Sequence, residues 1–222
     1  ITLNSAMSYL IKQDFSWEIL VVDDGSIDST VSEVKKIREK MKSHVRLLSV
    51  SHGGKGWAVK NGMLAALGTY RFMADADLSM PINQLDRFLI QMELGKDIVI
   101  GSRQIAGARR FNEPSIRHIV GKCFNWFVRL VALKGIQDTQ CGFKCFTCDA
   151  AEYLVSVAQT KGFGFDVEIL SLARRRGFKI VEIPIDWYHE RDTKIRLFVD
   201  SFVMFWETIK VSIRGLMEKY VS

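Results

Sequence analysis

Short apolar segments alternate along this chain with longer segments in which apolar residues recur every three or four positions. The first pattern predicts buried strands and the second predicts amphipathic helices. Strands are predicted over 18–23, 45–50, 70–75, 97–101 and 178–186, and helices over 3–13, 28–42, 116–133, 163–176 and 196–219. Further helices are predicted to end at 67 and to begin at 80. This alternation is typical of the α/β class, a Rossmann-like, mainly parallel sheet flanked by helices, here with a C-terminal amphipathic helix.

Carboxylates follow two of the predicted strands. Asp23 and Asp24 end the strand 18–23, and Asp75 and Asp77 end the strand 70–75. Side chains two apart on an extended backbone project to the same face, so Asp75 and Asp77 can share one divalent cation with a phosphorylated ligand. Ligands collect at the carboxyl ends of parallel strands. The two acidic strand ends therefore predict a metal-dependent nucleotide site.

A glycine-rich segment, Ser51 to Gly56, precedes the helix that ends at 67. Glycines at a helix N-terminus let backbone N–H groups approach an anion closely, which makes Gly54, Lys55 and Gly56 candidates for phosphate binding. The segment lacks the Lys-Ser/Thr pair of a Walker motif. A glycine turn without a ligand is the alternative.

Composition narrows the class of protein only modestly. The chain has 222 residues, of which 48% are hydrophobic, and this is enough for one substantial core with a C-terminal appendage. Its net charge is +6. Such a charge suits nucleic acid, anionic lipid or phosphorylated substrates, or is ordinary surface charge. Cys141, Cys145 and Cys148 lack the spacing of a zinc site and are predicted to be free thiols. No charge-free run is long enough to span a bilayer, so membrane contact would be peripheral or supplied by residues outside this chain.

Two predicted helices combine apolar and basic residues. The helix 116–131 carries Arg117, Lys122 and Arg129 beside its apolar face, and the helix 196–219 carries Lys210 and Arg214. Basic amphipathic helices can lie in a membrane interface, and packing of both helices on the sheet is the alternative. We expect Phe202 and Phe205 to enter the interface, with Lys210 and Arg214 attracted to headgroups.

Several segments together resemble the family 2 glycosyltransferases of GT-A fold, of the dolichyl-phosphate β-glucosyltransferase type. The resemblance runs from Glu18 to about Phe205. Its motifs are Val22-Asp-Asp-Gly-Ser26, Gly54-Lys-Gly56, Asp75-Ala-Asp77, Gly101-Ser-Arg103, Gly135-Ile-Gln-Asp-Thr-Gln-Cys-Gly-Phe-Lys144 and Phe165-Asp-Val-Glu168. The long motif ending at Lys144 is the one that indicates a polyprenyl phosphate acceptor.

The resemblance implies roles for individual residues. The nucleotide-sugar donor would contact Asp23, Asp24, Gly54, Lys55, Gly56, Asp75 and Ala76, with Mg²⁺ or Mn²⁺ on Asp75 and Asp77. The catalytic group would be Asp77, Arg103 and Asp138. The acceptor phosphate would meet Arg103, Arg117, Gln140 and Lys194. Asp166 and Glu168 would either orient the sugar or basic residues, or cap a loop or form a salt bridge.

The resemblance also implies domain organisation. The family begins with a strand that helps enclose the base, and nothing here precedes Ile1, so we expect a truncated sequence in which that strand is missing. We expect a GT-A domain over 1–195 and a membrane-surface helix over 196–222, with the enzyme on the cytoplasmic face of a membrane and no nucleic-acid partner.

The implied reaction transfers a hexose, with glucose from UDP-glucose expected, to a polyprenyl or dolichyl phosphate with inversion. A phosphate monoester has a second pKa near ~6, so the nucleophile is already ionised at neutral pH and needs no general base. A family 2 enzyme acting on a sugar hydroxyl is an alternative, and there Asp138 would be the required base. Two hypotheses of different classes stay open beside these enzymes. The missing first strand would suit a sugar-nucleotide binding protein without activity, and the acidic end of the strand 18–23 would suit a signalling receiver domain.

Overall fold

The computed structural model describes residues 2–41, 43–77, 79–189 and 197–216, and side chains at 117, 197–201 and 216 are outside that description. Its helices are α1 (Thr2–Leu10), α2 (Thr30–Lys40), α3 (Lys55–Ala65), α4 (Leu85–Glu93), α5 (Ser115–Val131), α6 (Cys148–Val157), α7 (Phe165–Arg176) and α8 (Leu197–Leu216). Its strands are β1 (Ile19–Asp23), β2 (Val45–Ser49), β3 (Tyr70–Met73), β4 (Ile98–Ser102), β5 (Arg109–Phe111), β6 (Lys144–Thr147), β7 (Ile180–Pro184) and β8 (Asp186–Tyr188). The α/β class is confirmed.

The strands form three sheets. β1 pairs with β2 in parallel, and a four-stranded sheet has the order β3-β6-β4-β7. In that sheet β4 and β7 are parallel, whereas β6 runs antiparallel to both of its neighbours. Within the described residues no ladder joins the β1-β2 sheet to the four-stranded sheet.

The segment predicted as one strand over 178–186 is divided in two. The pairing of this segment with β4 ends at Ile185. The Ile185 N–H still donates to the carbonyl of Ser102 at the end of β4, but the Ile185 carbonyl accepts the N–H of Arg109. The following strand, β8, pairs with β5. The pattern did not predict β5, because three residues beginning Arg109-Arg110 carry no strand periodicity.

Two hydrophobic clusters cover opposite faces of the four-stranded sheet. In β4, Ile98 and Ile100 belong to the cluster beneath α5, α6 and α7, and Val99 belongs to the cluster beneath α1 and α4. The alternation follows from the two-residue period of a strand. Cys141 and Cys145 are buried free thiols, and burial raises the pKa of Cys145 to about 12. The free-thiol prediction is therefore confirmed for them.

Helix α8 packs against α5 rather than standing apart from the rest of the fold. Phe205 stacks on Phe127 of α5 with ring centroids 4.2 Å apart, and Ser212 donates to the carbonyl of Val131 at 2.9 Å. Phe205 is half-buried and its ring packs on α5, which favours packing between the helices for this residue, and its expected contact with a membrane interface stays a prediction. Throughout the ranges described above, no helix combines the length and the apolar character needed to cross a bilayer.

Candidate active site

The loop after β1 is tied to the glycine segment through Asp24. Its two carboxylate oxygens accept the N–H groups of Gly53 and Gly54, each at 2.8 Å. Asp23 is buried, and its carboxylate accepts the Ser26 N–H at 3.1 Å. The two acidic residues therefore shape the strand end, and Asp24 holds the glycine segment beside it.

The glycines before α3 are required by a close approach of backbone. Gly54 has a φ of +97°, and a Cβ there would lie 2.9 Å from the carbonyl oxygen of Lys161. At Gly56 a Cβ would meet the side chain of Phe165 at 2.6 Å. The same Lys161 carbonyl accepts the Trp57 N–H at 3.1 Å. Several amides that could have cradled an anion are thus already bonded, and the ammonium of Lys55 is the cation that this segment presents.

Lys55 is one of four charged side chains that meet beside this loop. Its Nζ lies 3.3 Å from Asp75 Oδ1 and 3.5 Å from Asp166 Oδ2. On the other side of Asp166, Lys144 Nζ lies 2.6 Å from Oδ1, and both of these side chains are about 1% exposed. The network joins the predicted metal ligand to the N-terminus of α7.

The charges in this network stabilise one another. Burial opposes ionisation of both Lys55 and Asp166, yet the neighbouring carboxylates raise the pKa of Lys55, and the two lysines lower the pKa of Asp166. Both groups are therefore charged at neutral pH. Among the described side chains none donates a hydrogen bond to Asp166 Oδ2, which is buried. The Lys55 ammonium lies 3.5 Å from this oxygen, the distance of their ion pair.

The Asp75 carboxylate rests directly on Gly142. A Cβ at residue 142 would lie 1.7 Å from Asp75 Oδ2 and 2.3 Å from its Cγ, so only glycine leaves room for this carboxylate. This contact explains why the loop before β6 carries glycine where it passes the end of β3. It also brings the long motif of the chain against the acidic strand end.

The donor set at the end of β3 fits a divalent cation that is completed by a ligand. The Asp75 side chain is 42% exposed, and Asp77 is exposed, with its Oδ1 accepting the Ser79 N–H at 3.0 Å. In the described part of the chain no group of three or more metal-binding side chains occurs. Mg²⁺ is commonly held by one or two carboxylates together with substrate phosphates and water, which is what these two residues can offer.

Arg103 and Asp138 form a buried bidentate ion pair. Arg103 Nε and Nη2 donate to Asp138 at 2.7 and 2.9 Å, and the Arg103 backbone N–H also donates, at 2.9 Å. Burial raises the pKa of Asp138, but the charge and hydrogen bonds of Arg103 outweigh it and hold that pKa at about 2. The guanidinium also lies 5.3 Å from the ring centroid of Trp187. The pair therefore fixes the loop after β4 and presents no free carboxylate.

The structure describes only some of the remaining predicted site residues. Ala76 is exposed between the two metal-ligand candidates. Gln140 Nε2 is buried and has no hydrogen-bond partner among the described residues, which leaves a donor for a ligand. The side chain of Arg117 and the whole of Lys194 lie outside the described residues. Their predicted contacts with the acceptor stay predictions.

Sequence reasoning did not assign Lys144 a role, and it left Asp166 and Glu168 with two alternatives. The salt-bridge alternative holds for Asp166, which pairs with Lys144, and Glu168 accepts the N–H groups of Gln159 and Thr160 at 3.0 and 2.7 Å. The available signal was the placement of both acids in the first turn of a helix that follows glycine.

An exposed apolar surface lies on α5 and α8. Its members are Trp126 at 61%, Leu130 at 70%, Phe202 at 64% and Trp206 at 50% exposure. Phe202 and Trp206 contact each other, with ring centroids 6.3 Å apart, and Trp126 and Leu130 are about one helical turn apart on α5. Large exposed apolar areas of this kind mark interaction sites. We call these four residues the apolar surface.

Comparison with known proteins identifies the family of this chain. The family model described as glycosyl transferase family 2 matches residues 2–156. A dolichyl-phosphate beta-glucosyltransferase of Dictyostelium discoideum is 36% identical over 91% of this chain and 64% of its own length, and one of Saccharomyces cerevisiae is 33% identical over 98% and 71%. The chain thus spans about two thirds of the length of these relatives.

A solved structure supports the fold independently. Glucosyl-3-phosphoglycerate synthase from Mycobacterium tuberculosis, in complex with Mn²⁺, uridine diphosphate and glucosyl-3-phosphoglycerate, superimposes with a TM-score of 0.67 at 18% identity. The match covers 95% of this chain and 74% of that one. The GT-A fold expected from the motifs is therefore confirmed, and the chain belongs to glycosyl transferase family 2.

Proposed function

We propose that this chain carries the catalytic domain of an inverting hexosyltransferase that moves glucose from UDP-glucose to a polyprenyl phosphate such as dolichyl phosphate. Relatives that share about a third of their residues bear this activity in their names. The observation that carries the choice of acceptor is the buried Arg103 and Asp138 pair. A carboxylate whose pKa is lowered by a buried ion pair with Arg103 is a poor base toward a sugar hydroxyl, which favours an acceptor that is already ionised.

On the donor side, this chain's residues would balance the charge of the leaving diphosphate. Asp75 and Asp77 would hold Mg²⁺ or Mn²⁺, which supplies positive charge as the UDP departs. Lys55, already between Asp75 and Asp166, would turn its ammonium toward the diphosphate. The Asp23 and Asp24 loop would border the nucleoside. This is stabilisation of developing negative charge by groups that are positioned before the reaction.

On the acceptor side, no residue has to remove a proton. A phosphate monoester with a second pKa near ~6 is largely dianionic at neutral pH and attacks directly. Gln140, with an unused buried N–H, would orient this phosphate. A hydroxyl acceptor would need a carboxylate with a raised pKa, and the pKa values of Asp138 and Asp166 are both lowered. The hydroxyl-acceptor alternative therefore has less support.

The lipid acceptor implies that the enzyme works at a membrane. Each CH₂ of a prenyl chain exposed to water costs roughly 0.8 kcal/mol, so the protein must come to the bilayer. The apolar surface on α5 and α8 suits this contact. The free thiols of the chain suit a reducing compartment and hence the cytoplasmic face.

The test is a transfer assay on the full-length natural protein with radiolabelled UDP-glucose and polyprenyl phosphate in liposomes. Label should enter an acid-labile lipid, and Asp77→Asn should not produce it. Transfer only to a sugar alcohol acceptor would support the hydroxyl alternative instead. Binding of UDP-glucose without transfer or hydrolysis would support the non-catalytic binding protein.

Membrane contact has its own test. Phe202→Asp with Trp206→Asp should release the protein from liposomes while its circular dichroism spectrum is unchanged, because both side chains are exposed. Phe205→Asp, at a packed ring, should instead lower stability. If wild type and the exposed-residue variant sediment equally with liposomes, the apolar surface does not carry membrane contact.

A further inference from the structure

A polar cavity lies between α8 and the loop that precedes α7. Its volume is about 180 Å³, and it is lined by Gln159, Thr160, Lys161, Glu207, Lys210 and Arg214. None of these residues belongs to the donor or acceptor groups described above. The cavity opens on the same helix that carries half of the apolar surface.

Positive charge dominates the lining, which has the cations Lys161, Lys210 and Arg214 and the carboxylate Glu207. Glu207 keeps its negative charge and is held against the loop by the Gly164 N–H, which donates to it at 2.6 Å. Arg214 pairs with the buried Glu168 at 3.2 Å. Within the described residues Lys161 and Lys210 have no carboxylate within ion-pair distance, and the Lys161 ammonium lies 5.0 Å from the centre of the Trp57 ring. Two ammonium groups are therefore free to bind an anion.

The cavity borders the exposed apolar side chains of α8. Lys210 is four residues after Trp206 and three before Ile213, and both of those residues are about half exposed. Side chains three and four apart are neighbours on a helix surface. An anion held at Lys210 would therefore have aromatic and aliphatic side chains directly beside it. This is the arrangement of a lipid phosphate next to its own acyl chains.

We propose that this cavity binds the phosphate headgroup of an anionic membrane lipid, separately from the acceptor, and so fixes α8 in the membrane surface. The proposal rests on the membrane contact in the proposed function. Ammonium groups form charge-assisted hydrogen bonds with phosphate oxygens. Each lysine near an anionic membrane strengthens binding by roughly fivefold, so removal of two should weaken it by on the order of 20-fold.

The experiment measures sedimentation of the protein with phosphatidylcholine vesicles that contain or lack phosphatidylserine. The test variant is Lys161→Gln with Lys210→Gln. The matched control is Lys35→Gln with Lys40→Gln, which removes the same charge from exposed positions on α2. Thermal unfolding of all three proteins checks that each is folded.

We expect wild type and control to prefer the vesicles with phosphatidylserine, and the test variant to lose that preference. An equal loss in both variants would show unspecific attraction and overturn the proposal. So would binding of titrated inorganic phosphate at these lysines without any preference between vesicles, which would assign the cavity to a soluble anion.

The acceptor could also be the occupant, and kinetics distinguish this case. A raised KM for detergent-dispersed polyprenyl phosphate in the test variant, with vesicle preference intact, would assign the cavity to the acceptor and overturn a separate lipid site. Vesicle binding is measured without donor or acceptor. It therefore fails or succeeds independently of the transfer reaction.

Discussion

The substitution Asp138→Asn separates a structural carboxylate from a catalytic one. Asp138 is fully buried, and both of its oxygens accept hydrogen bonds from Arg103. Asparagine keeps the shape but removes the charge, so that the buried guanidinium loses its counter-ion. We expect a large loss of stability and, in the protein that remains folded, continued transfer to polyprenyl phosphate.

The magnitude follows from the shifted pKa of the carboxyl. That pKa falls from 3.8 to about 2 in the folded protein, which at about 1.4 kcal/mol per unit corresponds to roughly 2 kcal/mol of stabilisation. Breaking a buried pair by removing one partner typically costs about 3–5 kcal/mol, because the other charge is left uncompensated. We therefore expect Asp138→Asn to lower the free energy of unfolding by about 3 kcal/mol.

The effect has a defined pH dependence. A carboxyl whose folded pKa is lowered contributes stability above its unfolded pKa, and the contribution is lost as pH falls toward the folded value. The difference between wild type and Asp138→Asn should thus be full at neutral pH and shrink between about pH 4 and about pH 2.

Urea unfolding followed by tryptophan fluorescence measures this difference, and transfer is assayed at a temperature where the variant is folded. Asp14→Asn, at an exposed position, is the control and should change stability little. If Asp138→Asn proves as stable as the control while transfer is abolished, the carboxylate takes part in the chemistry. The reasoning from its buried ion pair would then be refuted.

Three further substitutions address the donor site. Asp77→Asn should reduce turnover on the order of 100-fold or more at saturating Mn²⁺, because it removes the charge of a proposed metal ligand. Its circular dichroism spectrum should be unchanged, because the residue is exposed. Near-normal turnover would contradict the metal assignment. Gly142→Ala places a Cβ 1.7 Å from Asp75 Oδ2 and so displaces this carboxylate. Calorimetry should therefore show much weaker binding of UDP with Mn²⁺. Intact binding would mean that the binding of UDP and Mn²⁺ does not depend on the present position of the Asp75 carboxylate. Lys55→Met removes the ammonium that lies 3.3 Å from Asp75. The affinity for Mn²⁺ in the absence of nucleotide, measured by electron paramagnetic resonance, should then rise severalfold. A fall in that affinity would show that Lys55 does not compete with the metal.

Local periodicity predicted most of the elements because burial imposes it on each strand and helix separately. The strand before Asp75 and the helix after Gly164 are examples. The metal site expected at Asp75 and Asp77 stays a prediction, and both residues lie beyond the end of β3 rather than on extended strand. The reversed direction of β6 could not be predicted, because a buried strand has the same pattern in either direction. The division of the last predicted strand depended on β5, a partner with no pattern of its own.

Ion pairs between distant segments could not be predicted from the sequence for a related reason. Lys144 and Asp166 are 22 residues apart, and Arg103 and Asp138 are 35 apart. Each sequence motif shows that a charge is present, but nothing in it shows which opposite charge the fold will bring near. The same limit explains Phe205, whose apolar character suited a membrane and a neighbouring helix equally well.

The hydrogen bond that the Gly164 N–H donates to Glu207 fixes α8 beside the loop that precedes α7. One side of this helix is fastened to the loop whose Lys161 carbonyl touches Gly54, and another side carries Phe202 and Trp206 outward. A helix with its side chains is about 10–12 Å across. A protein that rested on a flat surface through Phe202 and Trp206 would therefore hold the loop at Gly54 about one helix diameter away from that surface, and this spacing would be a property of the fold.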